Sequence, residues 1–159
     1  MVPAPPAEPQ ADLVIAVVDC TLGPDLVQRA ERERLTLSVS VDLLGRGTGG
    51  LRTPQRLARA GEALVSFGWQ HRIVVEPGEP IWEPLVEALK SEDEQDSDCY
   101  FILSGRGGVD GEKELGTAHL NLEEMLRLGH DETRARLPVV DDTQRRVAWL
   151  TVSVRYGYR

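Results

Sequence analysis

One stretch of nine residues restricts the possible folds of this chain more than any other. In LTLSVSVDL, polar residues alternate with the apolar residues Leu35, Leu37, Val39, Val41 and Leu43. A period of two places all five apolar side chains on one face of a β-strand. A strand with one apolar and one polar face is typical of an antiparallel sheet that packs on one side and meets water on the other.

Seven more segments have strand-like patterns, and turn residues separate most of them. They are residues 13–18, 62–69, 70–76, 99–104, 115–122, 134–140 and 146–156. In the last of these, one alternating set is apolar and is expected to face the core, whereas Trp149 belongs to the other set and is expected on the solvent side or under a helix. The apolar set is Ala148, Leu150, Val152 and Val154.

Short helices are expected at three places between these strands. Residues 25–34 are predicted as a short helix or loop, and IWEPLVEALKS as a short helix that packs Ile81, Leu85 and Leu89 over the sheet. In NLEEMLRLG, Asn121 is the predicted N-cap and Gly129 ends the helix. The sequence therefore predicts an all-β fold, an eight-stranded antiparallel sandwich with two or three short helices.

The start of the chain differs in composition from the rest. Residues 2–10 contain four prolines among small and polar residues, a composition that favours an extended segment. We interpret residues 1–11 as a Pro-rich tail or linker and residues 12–159 as one domain, since a chain of 159 residues is long enough for one core.

Charge and cysteine content exclude several classes of function. The chain has 18 Lys and Arg against 26 Asp and Glu, and this net charge of -8 disfavours nucleic acid and anionic membranes as partners. The basic residues are nearly all arginine, which suits protein contacts. Cys20 and Cys99 lie far apart, without a CxxC motif, and predict no metal site and a cytoplasmic location. No cofactor is implied, and no apolar stretch is long enough to span a bilayer.

No motif in the sequence predicts an enzyme. His71, His119 and His130 are dispersed, and neither a nucleophile elbow nor a P-loop is present. One alternative is a dinucleotide-binding α/β domain, because the Gly45–Gly50 loop has the spacing G-x-G-x-x-G, Thr53-Pro54 is a possible helix start and Glu76 is an acid further on. The strand before this loop alternates, however, whereas a central parallel strand would be apolar throughout.

Residues 105–122 resemble the late strands of a C2 domain. A glycine-rich loop is followed by LGTAHLNL, which has the apolar-Gly-x-x-x-apolar-x-Leu pattern. In calcium-binding C2 domains this loop carries aspartates at positions that correspond here to Gly105, Gly107 and Lys113. The resemblance therefore implies a C2 domain without calcium, since a lysine repels that ion. A lipid-binding C2 domain is a second alternative, although residues 63–75 offer only His71 and Arg72 as basic groups.

Over residues 13–154 the chain is similar to the RPGR-interacting domain, a C2-type domain of the retinitis-pigmentosa-GTPase-regulator-interacting proteins. The similarity follows the order of LTLSVSVDL, Thr53-Pro54, RIVVE, PLVEALKS, LGTAHLNLEEMLRLGHD and AWLTVSV. It implies a calcium-independent protein-protein interaction module of a ciliary or centrosomal scaffold. The implied partner is the β-propeller of the GTPase regulator (RPGR), and the implied location is the transition zone or basal body of the cilium.

Exposed tryptophan and charged residues are the best sequence candidates for the binding face of such a module, since aromatic residues and arginine dominate interface hot spots. We expect Trp82 and the acidic loop at residues 91–98 to contribute. The named candidates are Trp82, Glu92, Asp93, Glu94, Asp96 and Asp98.

Overall fold

The computed structural model describes residues 11–44, 51–91, 98–108, 111–123 and 132–158. Within them the chain forms eight strands and two helices. In chain order these are β1 (Ala11–Leu22), α1 (Pro24–Arg32), β2 (Thr36–Leu43), β3 (Arg56–Leu57), β4 (Leu64–Val75), α2 (Trp82–Lys90), β5 (Asp98–Arg106), β6 (Lys113–Asn121), β7 (Glu132–Val140) and β8 (Arg146–Tyr158).

All strand pairs are antiparallel, and the spatial order of the strands is β3-β2-β5-β6-β7-β8-β1-β4. One Cα pair, Thr117 with Val140, joins β6 to β7, whereas the other long strands pair over seven residues or more. The strands therefore form two four-stranded sheets that meet at a narrow seam between β6 and β7. Both sheets contribute to a single hydrophobic core, which confirms the predicted all-β, eight-stranded antiparallel sandwich.

Leu35 and the alternating residues of β2 belong to this core, as predicted. Leu35, Leu37, Val39 and Val41 are fully buried and Leu43 is almost so. The inward face of β8 meets them with the four predicted residues, Ala148, Leu150, Val152 and Val154.

The region before α2 differs from the prediction in two ways. Residues 62–69 and 70–76, predicted as two strands, form the single strand β4. Gly68 has a φ of 55° close to the place where the register with β1 shifts, so the chain passes this point as a bulge instead of a turn. The sequence did not predict β3, which has only two residues and pairs with the start of β2. With β3, the described strands number eight although two predicted strands are one.

Both helices cover edges of the core. In α1, Leu26 and Ala30 are buried, and in α2 the buried residues include Leu85 and Ala88, preceded by buried Ile81. The side chain of Leu89 lies outside the described part of the structure, as does most of the predicted helix at 121–129 and the Pro-rich segment at 1–10. β1 begins at Ala11, so the division at residues 11 and 12 stays a prediction. Among the described residues, no helix has the length and apolar character needed to cross a membrane.

Candidate functional site

The two sheets cross closely at Gly116, the glycine of the LGTAHLNL motif. A Cβ atom at this position would lie 2.8 Å from Val139 Cγ1 and 2.9 Å from the Val140 carbonyl oxygen. The pair that joins β6 to β7 is formed by the next residue, Thr117, with Val140. Glycine is therefore required for the close crossing of β6 and β7, which explains the motif without any ligand.

The outer side of this seam carries a cavity of about 660 Å³, which we call the seam groove. Strands β5 and β6 form one wall, and β7 with the turn before β8 forms the other. The lining residues are Tyr100, Glu114, Leu115, Gly116, Thr117, His119, Pro138, Val140, Asp141, Asp142 and Gln144. Among the described residues, the lining contains three carboxylates and two aromatic rings but no Lys or Arg.

Asp141 stabilises the turn between β7 and β8. Its Oδ1 accepts hydrogen bonds from the Thr143 backbone N–H (2.9 Å), the Thr143 hydroxyl (2.8 Å) and the Arg145 backbone N–H (2.9 Å). Because these donors, first among them the Arg145 N–H, favour the charged carboxylate, they hold the pKa of Asp141 below its ordinary value. Asp141 is thus an anion whose position is fixed.

The other two carboxylates of the groove are more available to a ligand. Glu114 is exposed and accepts one hydrogen bond from the Thr117 hydroxyl at 3.0 Å. Asp142 is exposed at the tip of the turn on the opposite wall. The groove therefore presents negative charge from both of its walls.

An aromatic pair covers the end of the groove near β5. The rings of Tyr100 and His119 have centroids 6.0 Å apart and are tilted by 41°. The Tyr100 hydroxyl donates to Asp98 Oδ2 at 3.3 Å, and Asn121 Nδ2 donates to Asp98 Oδ1 at 2.8 Å. Asp98 is only 7% exposed, so its carboxylate has a structural role in holding β5 and β6 together.

The residues predicted from sequence as partner contacts do not line the seam groove. Trp82 is half-buried at the start of α2, where it packs against the core, and Asp98 is buried at the start of β5. Glu92, Asp93, Glu94 and Asp96 lie outside the described residues. Their roles in binding remain predictions.

A second surface feature lies on the outward face of the β7–β8 hairpin, where Trp149 was expected. The guanidinium carbons of Arg136 and Arg146 lie 4.8 Å and 4.7 Å from the centre of the Trp149 ring, in the geometry of a cation–π interaction. We call these three residues the arginine–tryptophan platform. It adjoins the seam groove, because Trp149 pairs with Pro138 and Arg146 pairs with Val140, and both partners line the groove.

In the region that the C2 resemblance relates to a calcium site, an ion pair joins two segments of the chain. Arg52, which follows residues 45–50 in the sequence, forms an ion pair with Glu112 of the β5–β6 loop. Its guanidinium also donates to the Ser38 hydroxyl at 2.7 Å. An arginine therefore supplies the positive charge beside this acid. Within the described residues no three His, Cys, Asp or Glu side chains converge as metal ligands.

The structure contradicts the dinucleotide-binding alternative. That fold requires a helix after the Gly45–Gly50 loop, but residues 51–63 contain no helix. Instead the Thr53 hydroxyl accepts a hydrogen bond from the Val39 backbone N–H at 2.9 Å, which holds this segment in an extended form beside β2. The loop itself lies outside the described residues.

Both cysteines are buried in the core, and neither takes part in a disulfide. Burial raises the pKa of the Cys20 thiol to about 12, and burial likewise raises that of Cys99. Since the thiolate is the reactive form of cysteine, neither thiol is a nucleophile at neutral pH.

Strand order, seam and loops together define a C2-type β-sandwich. Among solved structures, the chain is similar to CC2D1B, a protein that coordinates ESCRT-III activity during the mitotic reformation of the nuclear envelope, with a TM-score of 0.65 and 16% identity. The similarity covers 91% of this chain and 54% of that one, so the chain spans about half the length of this relative.

A second similar structure is a C2 domain-containing protein from an elicitor-responsive gene. The TM-score is 0.56 at 11% identity, with 98% of this chain and 94% of that chain covered. No protein-family profile matches the chain, and no curated protein sequence matches it. The C2-type fold expected from residues 105–122 is confirmed, and membership of the RPGR-interacting family remains a proposal.

Proposed function

We propose that this chain is a non-enzymatic, calcium-independent protein-protein interaction module of C2 type. The observation that carries the proposal is the arginine–tryptophan platform on the outer face of the β7–β8 hairpin. Trp149 is half-buried, and exposed guanidinium groups lie over its ring. Tryptophan and arginine are the residue types most enriched in the energetic centres of protein interfaces.

The stacking geometry fits protein recognition well. A guanidinium that stacks on an aromatic ring keeps its N–H groups available at the edges, where they can bind a carboxylate in a bidentate manner. Arg136 and Arg146 are exposed, and within the described residues neither guanidinium forms a hydrogen bond or an ion pair. The platform therefore favours a partner surface with acidic side chains around an apolar centre.

Calcium independence is supported by the ion pair between Arg52 and Glu112. A calcium ion needs six to eight oxygen ligands, several of them carboxylates, and an arginine beside the acid competes with the ion by charge repulsion. Thermal unfolding in millimolar calcium tests this point: the midpoint should stay unchanged, and an increase of several degrees would contradict calcium independence.

For the partner, the resemblance to the RPGR-interacting domain leads us to propose a ciliary or centrosomal scaffold protein in the cytoplasm that binds a β-propeller such as that of RPGR. The test is calorimetric titration of the domain with the recombinant propeller at low and moderate salt. We expect saturable binding that is strongly weakened by Trp149→Ala and by the double change Arg136→Ala with Arg146→Ala.

The matched control is the double change Arg56→Ala with Arg59→Ala, which removes the same charge from exposed arginines outside the platform. Equal effects of the two double variants would show that the platform is not the interface. Absence of propeller binding would overturn the proposed partner. Vesicles of anionic lipid serve as a further arm, since salt-sensitive binding to them would indicate a lipid-binding C2 domain instead.

A further inference from the structure

We propose that the seam groove binds an arginine side chain on an extended segment of a partner protein. This inference rests on the proposed function, because it assigns the chemistry of a partner to a second surface of the same module. The groove provides three matching properties, which are its charge, its size and its aromatic wall.

The first property is charge. Glu114 on β6 and Asp142 on the turn line opposite walls of the groove, and Asp141 adds a third carboxylate beside Asp142 in the same turn. Two arginines of the neighbouring hairpin have contacts of their own: Arg145 Nε lies 3.9 Å from Asp141 Oδ2 and offsets part of the charge of that carboxylate, and Arg146 lies over the Trp149 ring. Glu114 and Asp142 have no recorded ion-pair partner within the described residues. A cationic occupant would neutralise this concentration of charge.

The second property is size. Sites that enclose small ligands have volumes of roughly 300–1,000 Å³, and the seam groove, at about 660 Å³, lies within that range. This volume exceeds that of a metal ion or a single water and accommodates a long side chain together with part of its backbone. Pro138 and Val140 provide apolar surface for the aliphatic part of such a side chain.

The third property favours arginine over lysine. The guanidinium group is planar, forms paired hydrogen bonds with a carboxylate and stacks on aromatic rings. The seam groove offers carboxylates together with the tilted rings of Tyr100 and His119. An ammonium group is a compact point charge that uses only the carboxylates, so it gains less from this wall.

The experiment uses tetra-arginine, tetra-lysine and tetra-glutamate peptides as probes, in calorimetry and in amide chemical-shift titrations at about 0.15 M salt, where long-range charge effects are screened beyond roughly 8 Å. The groove variant is Glu114→Gln with Asp142→Asn. Its control is Glu62→Gln with Glu83→Gln, which makes the same change in net charge at exposed positions outside the groove. Thermal unfolding verifies that both variants keep the fold.

We expect tetra-arginine to bind in the groove more tightly than tetra-lysine, and tetra-glutamate not to bind in the groove. The groove variant should lose at least about ten-fold in affinity for tetra-arginine, whereas the control variant should stay within about two-fold. The largest amide shifts should fall on residues 114–119 and 140–144. Equal losses in the two variants, equal affinity for lysine and arginine, or shifts centred elsewhere would each overturn the inference.

The same two variants are then titrated with the propeller. If tetra-arginine does not bind in the groove and the propeller binds wild type and groove variant equally well, the groove inference fails and the proposed function stands. If tetra-arginine binds in the groove but the propeller does not bind at all, the groove assignment stands and the proposed partner fails. Failure of both probes overturns the groove inference and the proposed partner.

Discussion

Alanine at position 116 should destabilise the domain because it adds one methyl group at the seam. The new Cβ would lie 2.8 Å from Val139 Cγ1 and 2.9 Å from the Val140 carbonyl oxygen. Val139 is fully buried and cannot rotate away freely, and the carbonyl belongs to the strand that pairs with β6. Overpacking of this kind costs about 1–3 kcal/mol.

A loss of about 2 kcal/mol corresponds to a decrease of roughly 4–8 °C in the thermal midpoint of a domain of this size. The assay is thermal and urea unfolding of Gly116→Ala beside a matched control, Gly111→Ala. A Cβ at Gly111 meets nothing within 4 Å, so the control should stay within about 0.5 kcal/mol of wild type. If the two variants have the same stability, the seam does not require glycine and the argument is refuted.

Three further predictions concern other parts of the sandwich. Arg52→Ala should lower the free energy of unfolding by no more than about 1 kcal/mol, because the side chain of Arg52 is 39% exposed. The control Arg59→Ala should have no effect. A larger loss for Arg52→Ala in urea unfolding would show that the ion pair organises both loops. Asp98→Ala should cost about 1–3 kcal/mol, since two hydrogen-bond donors lose a buried acceptor, and Asp98→Asn, which keeps an acceptor oxygen, should cost less. Cys20 and Cys99 should resist a thiol reagent in the folded protein at pH 8 and react after denaturation. Because burial raises the pKa of the Cys20 thiol from 9.0 to about 12, the contribution of this thiol to the free energy of unfolding should be fully present below pH 9 and be lost as the pH rises towards 12.

The strands were predictable where apolar and polar residues alternate because only one face of the strand packs against the core. The alternation at Leu35–Leu43 and the apolar set of β8 predicted the buried faces of these strands correctly. When only one face of a strand packs, an alternating pattern allows only one choice of buried face. The split of β4 into two strands was wrong because a glycine between two strand-like runs permits either a turn or a bulge, and only the pairing with β1 decides between them.

The seam groove was not predictable from local sequence. Its walls come from β5 and β6 on one side and from the β7–β8 turn on the other, so no motif of adjacent residues contains it. Two signals were visible in retrospect: the Leu115-Gly116 step, which marks the close crossing, and the VDDTQ turn, which carries two acids. The sequence analysis chose the acidic run at 91–98 instead. Such a run is visible as adjacent residues, whereas the two walls of the groove come together only in the folded domain.

The pairing of β1 with β8 has a consequence for how the domain is made. β1 is the first described strand and β8 the last, and they pair along their length from Ala11 with Tyr158 to Leu22 with Ala148. On the other side β1 pairs with β4, so it lies inside its sheet and not at the edge. During synthesis, β1 can pair with β8 only after almost the whole domain has left the ribosome. Contacts between such distant residues slow folding, and the half-made sheet exposes an apolar strand edge of the kind that chaperones protect.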